Sequence, residues 1–122
     1  MSDTSTTIDE LKQLIHRFVA ERDWQQFHSP KNLSMALAIE AAELMEHFQW
    51  TDLEASHAIV DDPEKLAAVG EELADVFVYS LALADVLGID MADTVRAKMV
   101  KNAEKYPADE YRGRYEPEDG GE

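Results

Sequence analysis

The sequence predicts an all-α protein built as a four-helix bundle. Apolar residues recur at helical spacing over four long segments, and no segment shows the alternation of polar and apolar residues that strands require. The five glycines and four prolines are sparse and lie mostly at the breaks between these segments. A chain of 122 residues, 45% of them hydrophobic, has material for one packed domain and little for a second.

The first two helices are separated by Ser29-Pro30. The first is predicted to begin near Ile8, where one apolar stripe follows several N-cap candidates, and to fade between 24 and 28. The second is predicted to begin after Pro30, with Asn32 or Ser34 as its cap, and to continue to about residue 49. Alanine, leucine, methionine and glutamate dominate it, and all four have high helix propensity.

The third helix is expected to span Pro63–Leu87. Asp62 supplies an N-cap ahead of a proline at the first helical position, and Gly88 is placed to end the helix. Asp90 is expected to cap a fourth helix that ends near 106–107. The third helix is apolar around most of its circumference, which favours neighbours on two sides and hence a second subunit.

The chain is predicted to divide at residue 107. Residues 1–107 form the folded domain in this prediction, and residues 108–122 form an acidic, mobile C-terminal tail. The tail contains six acidic residues and two arginines, and it lacks apolar periodicity.

Charge excludes several classes of function. The 26 acidic residues outnumber the 11 lysines and arginines, giving a net charge of −15, so we expect no binding to nucleic acid or to an anionic membrane surface. The absence of cysteine excludes disulfides, zinc–thiolate sites and cysteine nucleophiles. The longest uncharged stretch has nine residues, against about 20 for a membrane span, and no signal peptide is visible. The expected location is cytoplasmic.

Acidic residues occur inside the most apolar segments of the chain. Glu40 and Glu43 are three residues apart in the second helix, and Glu72 and Asp75 repeat this spacing in the third. Each pair shares one helix face, so like charges repel there and their ionised forms are costly in a partly dehydrated site. A divalent cation compensates, and Mg²⁺ prefers carboxylate oxygens together with substrate phosphates.

Spacing alone leaves a second interpretation open, because Glu-x-x-Glu is common on solvated helix faces. A di-iron carboxylate bundle is disfavoured. Such a bundle needs two Glu-x-x-His motifs, and here that spacing occurs only at Glu54 and His57, in the connection between the second and third helices.

Two further groups of residues are candidates for ligand binding. Lys98 and Asn102 belong to a cationic stripe on the fourth helix, which either grips phosphates or is a solvated last turn. Trp24 and Trp50 each close a helix, where an exposed ring can stack on a nucleobase, although such residues, like Tyr79, also serve as core.

These residues belong to a longer set of motifs in a fixed order. The set, which covers about residues 8–107, resembles the MazG-like all-α nucleoside triphosphate pyrophosphohydrolases, particularly their short dCTP pyrophosphatase branch. The matching segments are Glu21-Arg-Asp-Trp-Gln-Gln-Phe-His28, Pro30-Lys-Asn-Leu33, Glu40-x-x-Glu43, Glu46-His-Phe-Gln-Trp50, Glu71-Glu-Leu-Ala-Asp75 and Lys98-Met-x-x-Asn102-x-x-x-Tyr106-Pro107.

The resemblance implies a MazG fold and Mg²⁺-dependent hydrolysis of a (d)NTP between its α- and β-phosphates, giving a (d)NMP and pyrophosphate. It implies a house-cleaning role toward surplus or modified dNTPs, with dCTP-like substrates favoured. It also implies a homodimer that pairs into a homotetramer. The metal ligands that it carries over are Glu40, Glu43, Glu72 and Asp75. Glu43 or the neighbouring Glu46 is the candidate for accepting the proton of the attacking water.

The resemblance also assigns substrate-binding residues. The predicted contacts are Lys98 and Asn102 for phosphate or sugar, and Trp24, Trp50 and Tyr79 for base and sugar. One departure affects base preference: the histidine that the dCTP-specific branch uses on the first helix aligns with Ile15, and His16 is displaced by one position, about 100° around the helix.

A different class of function stays open on the sequence alone. The acidic rows and the aromatic residues also suit a non-catalytic helical interaction module, or a module that binds nucleotides without hydrolysing them.

Overall fold

The structure, a computed structural model, describes residues 1–114 of the chain. All of the regular secondary structure in this range is helical, with no strand there, so the predicted all-α class is confirmed. Within the same range, every helix falls short of the length or the apolar content that crossing a bilayer requires. The helices are α1 (Ile8–Glu21), α2 (Pro30–Glu46), α3 (Leu53–Ala58), α4 (Pro63–Leu87), α5 (Met91–Lys105) and α6 (Ala108–Tyr111), with 3₁₀ turns at Gln25–Phe27 and Ile59–Asp61.

The ends of α4 agree with the sequence prediction at both residues. The Lys65 N–H donates to the Asp62 carboxylate at 3.2 Å, and Pro63 occupies the first turn, where a missing N–H costs nothing. At the other end Gly88 adopts a left-handed φ of 68°, which lets the Ile89 N–H donate to the Ala84 carbonyl at 2.8 Å.

The start of α2 differs from the prediction. Neither Asn32 nor Ser34 caps the helix; the cap is Ser29, whose hydroxyl accepts the Asn32 N–H at 3.1 Å. The reason is that Pro30 is the first residue of the helix rather than the residue before it, so the cap lies one position ahead of the proline. The helix also ends at Glu46, three residues before the predicted end.

The chain separates into two units, of which the first is Met1–Ile89. Here α4 is the central element: α2 packs along it extensively, and α1 packs on it as well. Burial is confined to a small apolar core contributed by these three helices. Its members are Val19, Leu33, Leu81, Ala82 and Ala84. This packing holds the acidic faces of α2 and α4 together.

The second unit begins at Asp90, whose carboxylate accepts the Asp93 N–H at 2.9 Å and caps α5 as predicted. The segment predicted as a mobile tail opens with a helical turn, α6, and the Tyr111 ring lies edge-on to Tyr106 with centroids 5.2 Å apart. Residues 115–122 of that segment lie outside the described residues. The domain boundary at residue 107 stays a prediction.

Candidate functional site

Three carboxylates converge where α2 faces α4. Oxygen atoms of Glu40 and Glu43, on α2, and of Glu72, on α4, all lie within 4.8 Å of one another. The i, i+3 spacing puts Glu40 and Glu43 on the same face of α2, and the packing of α2 on α4 brings Glu72 to that face. The structure thus brings together three of the four residues predicted as metal ligands.

The cluster is partly removed from water, and within residues 1–114 none of its three carboxylates forms an ion pair. Among the described residues, the buried side-chain oxygens without a hydrogen-bond partner are Glu40 Oε2 and Glu72 Oε2. Burial, reinforced by the Glu43 carboxylate, raises the pKa of Glu40 to about 7 and raises the pKa of Glu72 as well. Buried polar atoms of folded proteins are almost always paired, so two unpartnered oxygens in one cluster are suited to binding a cation.

Asp75 lies one turn beyond Glu72 on α4. Its side chain is exposed and is not among the three converging residues, but its negative charge further raises the pKa of both Glu40 and Glu72. Glu46 extends the α2 row by another turn; it is exposed and likewise lies outside the cluster. Asp75 therefore borders the cluster electrostatically, whereas Glu46 lies beside it along the helix.

Asp75 also lines a cavity of about 490 Å³ between α1 and α4. Aromatic and aliphatic side chains form most of its wall, and Trp24 and Tyr79, both predicted to bind substrate, are among them. Asp75 thus belongs to the cavity wall, and its charge also acts on the carboxylates of Glu40 and Glu72. The lining residues are Leu14, Ile15, Phe18, Val19, Trp24, His28, Asp75, Val78, Tyr79 and Ala82.

Trp50, the third aromatic residue predicted to bind substrate, does not line this cavity. The chain turns after α2, where both the N–H and the hydroxyl of Thr51 donate to the Phe48 carbonyl, at 3.0 and 2.9 Å. This turn leaves the Trp50 side chain 89% exposed. A role for Trp50 in substrate binding stays a prediction.

Lys98 and Asn102 lie in the second unit, four residues apart on α5. Lys98 is exposed, and Asn102 is half-buried, with its amide donating to the Met99 sulfur at 3.7 Å. The i, i+4 spacing places their side chains on one face of α5, as a pair that grips one ligand would need.

The chain matches the MazG-like family model over residues 35–116, a span that includes both acidic pairs. It belongs to the MazG-like family. The match covers more than half of the 122 residues and begins inside α2.

Mammalian relatives of this MazG-like chain are named dCTP pyrophosphatase 1. The human protein is 45% identical over 103 residues, which is 84% of this chain and 60% of the human one. The bovine protein is 41% identical over 107 residues, which is 88% of this chain and 63% of the bovine one. The chain therefore spans less than two thirds of either relative.

A solved structure resembles the chain over nearly its whole length. The crystal structure of a pyrophosphatase from Archaeoglobus fulgidus DSM 4304 aligns with a TM-score of 0.74 at 38% sequence identity. The alignment covers 88% of this chain and 98% of that one.

Sequence reasoning missed two cavity residues in this MazG-like protein. Phe18 belongs to the apolar stripe of α1, and such a stripe does not distinguish a core residue from one that lines a cavity; Phe18 is 48% exposed and lines the cavity. His28 lies in a loop segment without periodicity, so only its place in the matched motif marked it. Ile15 lines the cavity too, and the neighbouring His16 instead lies 3.5 Å from Asp85.

The donor set fits a hard divalent cation. Carboxylate oxygens are the ligands that Mg²⁺ and related ions prefer, and the two unpartnered oxygens of Glu40 and Glu72 are free to bind one. An ion would also offset the burial and the repulsion between carboxylates that raise the pKa of both groups.

Proposed function

We propose that this MazG-like protein is a Mg²⁺-dependent nucleoside triphosphate pyrophosphohydrolase that prefers dCTP-like substrates. The observation that carries the proposal is the position of Asp75, which borders a half-buried carboxylate cluster and also lines an aromatic-lined cavity. The carboxylate cluster suits divalent ions that bind phosphates, and the cavity suits a nucleobase. The names of the relatives and of the structural neighbour support the same activity.

In this proposal Glu40, Glu43, Glu72 and Asp75 hold the divalent ions. Divalent ions held by these carboxylates would supply positive charge for the phosphates and acidify the attacking water. Trp24 and Tyr79, which both line the cavity, supply aromatic surfaces for the base. Lys98 and Asn102 supply polar contacts to phosphate or sugar.

Glu43 is the favoured acceptor for the proton of the water. It belongs to the converging cluster, whereas Glu46 is exposed and lies outside it. A general base must lie within hydrogen-bond reach of the proton that it removes, and the reacting phosphate is expected at the cluster. In this proposal Glu46 contributes a negative charge near the site and accepts no proton.

A homodimer that pairs into a tetramer is part of the proposal. In the first unit, large apolar side chains of both α2 and α4 stay exposed, which is unusual for a chain that functions alone. They include Met35 and Ile39 on α2, at 50% and 59%, and Leu73 and Phe77 on α4, at 55% and 46%. The expected cytoplasmic location stays a prediction.

Product analysis tests the reaction. Purified protein with Mg²⁺ is expected to convert dCTP to dCMP and pyrophosphate, because attack at the α-phosphorus leaves the β- and γ-phosphates joined. Excess EDTA is expected to reduce the rate by at least about 100-fold. A panel of canonical and modified NTPs and dNTPs is scored for pyrophosphate and orthophosphate.

Three outcomes separate the hypotheses. Orthophosphate as the primary product would contradict cleavage between the α- and β-phosphates. No turnover, combined with a thermal shift on adding nucleotide and Mg²⁺, would favour a nucleotide-binding module. No turnover and no shift with Mg²⁺ would favour the non-catalytic interaction module.

Removing the Trp24 ring is expected to weaken substrate binding. Stacking on one aromatic ring is worth roughly 1–3 kcal/mol, so Trp24→Ala should raise KM for dCTP about tenfold or more. Trp24→Phe keeps an aromatic face and should raise KM less than about threefold. Steady-state kinetics measure both. An unchanged KM in Trp24→Ala would remove the ring from the site, and a tenfold rise in Trp50→Ala would add Trp50 to it.

A further inference from the structure

The turn that follows α1 contains an unusual backbone conformation. Asp23 has a φ of +53°, and it is the non-glycine residue with positive φ in the part of the chain that the structure describes. The Asp23 N–H donates to the Ala20 carbonyl at 3.1 Å, and the Trp24 N–H donates to the Val19 carbonyl at 3.0 Å. This pattern closes a helix with one left-handed residue, and glycine usually occupies that position.

The left-handed residue determines where Trp24 goes. Trp24 follows Asp23 directly, and the bond to Val19 returns the chain toward α1. The Trp24 ring therefore packs edge-on against Phe18, with centroids 5.7 Å apart and planes at 75°. Both rings line the cavity between α1 and α4.

Neighbouring side chains reinforce the same arrangement. The Arg22 guanidinium lies 3.8 Å from the centroid of the Phe18 ring, and its Nη1 donates to the Phe18 carbonyl at 3.0 Å. The Gln26 amide donates to the Asp23 carbonyl at 3.0 Å, which ties the turn to the following 3₁₀ segment. These contacts hold the Phe18–Trp24 pair on one wall of the cavity.

We propose that Asp23 is a positioning residue for Trp24: its left-handed backbone aims the tryptophan ring into the nucleotide cavity. This inference rests on the proposed function for the identity of the ligand, but not for the position of the ring. Aspartate and asparagine tolerate the left-handed region better than most residues, glycine occupies it freely, and a β-branched residue is strongly disfavoured there. Asp23 acts through Trp24 and does not touch the reacting atoms.

The experiment compares three substitutions in a Trp50→Phe background. Because the chain has two tryptophans, Trp24 is then the sole tryptophan reporter. Asp23→Val should change the near-ultraviolet circular dichroism of Trp24, increase its quenching by acrylamide, and raise KM for dCTP about fivefold or more with kcat changed less than twofold. Asp23→Gly and Asp23→Asn should retain the parental spectrum and kinetics.

Thr7→Ala is the matched control for loss of helix stability. It removes the cap at the opposite end of α1, where the Thr7 hydroxyl accepts the Glu10 N–H at 3.1 Å, and leaves the Asp23 turn intact. It should lower Tm without changing the Trp24 spectrum or KM. The same spectral and KM changes in Thr7→Ala as in Asp23→Val would overturn the inference, because they would follow from destabilising α1 alone.

The two proposals fail in different ways. A parental Trp24 spectrum and parental quenching in Asp23→Val overturn the positioning role, whatever the activity. A parental chain without dCTP turnover overturns the proposed function, whereas a displaced Trp24 in Asp23→Val, restored in Asp23→Gly, supports the positioning role in that case too.

Discussion

Replacing Glu43 by glutamine is expected to reduce dCTP hydrolysis by about 10³-fold or more while the protein stays folded. Glu43 sits in the cluster with Glu40 and Glu72, and its charge is the principal neighbouring influence on the pKa of both. The amide keeps the shape of the side chain but removes a negative ligand and the favoured proton acceptor. Groups that stabilise developing charge are commonly worth 10²–10³-fold each, and Glu43 has two such roles. Initial rates with Mg²⁺ and a thermal melt measure the effect.

Glu71→Gln is the matched control, because Glu71 is exposed, lies next to Glu72 and makes the same change of charge. It should retain the parental rate within about twofold. Asp75→Asn should lose at least about 100-fold, since Asp75 borders both the cluster and the cavity. Full activity in Glu43→Gln would remove the metal-site assignment. A loss in Glu46→Gln equal to that in Glu43→Gln would transfer the general-base role to Glu46.

The second large effect is a gain in stability of the metal-free protein when Glu40 becomes glutamine. Burial and the neighbouring carboxylates raise the pKa of Glu40 from 4.5 to about 7. Between these values the folded state holds a proton that the unfolded state has released. Stability from this group is therefore complete below about pH 4.5 and is lost as the pH rises through about 7. The raised pKa of Glu72 acts in the same direction.

In EDTA at a pH of about 8, Glu40→Gln should melt about 3–6 °C higher than the parent, a shift typical of a modest gain in a domain of this size. Well below the ordinary pKa of 4.5 the two proteins should melt together, because Glu40 is protonated there in both the folded and the unfolded state. Glu71→Gln controls for the change in net charge and should move Tm by less than about 1 °C. Adding Mg²⁺ should raise Tm of the parent more than that of Glu40→Gln. A parental Tm that rises steadily from acid to neutral pH in EDTA would contradict the assignment.

The acidic cluster could be predicted from the sequence because both the helical spacing of its residues and their apolar surroundings mark it. Helical periodicity puts Glu40 beside Glu43 and Glu72 beside Asp75, and both pairs interrupt long apolar segments. The bounds of α4 could be predicted as well, since Asp62 and Gly88 cap the helix through bonds to residues close to them in sequence. Local chemistry of this kind depends little on the remainder of the fold.

The cavity could not be predicted in the same way. Its wall combines α1, the turn around Trp24 and α4, so it depends on how far each helix is rotated toward the others. Periodicity identifies an apolar face but not whether a member such as Phe18 ends in the core or at a cavity. In the sequence Trp24 and Trp50 look equivalent, because each follows a helix. Only the turns after α1 and α2 show that the Trp24 side chain lines the cavity and the Trp50 side chain does not.

The unbroken course of α4 has a consequence for the size of molecule that this protein can accept. Glu72 and Tyr79 are seven residues apart on one continuous helix, which corresponds to about 10 Å along its axis. A ligand that reaches both must carry its anionic end and its aromatic end at a matching separation. Free pyrophosphate and an unphosphorylated nucleoside each satisfy one end only. Under the proposed function, we expect this fixed separation to favour nucleotides whose length from phosphate to base matches it.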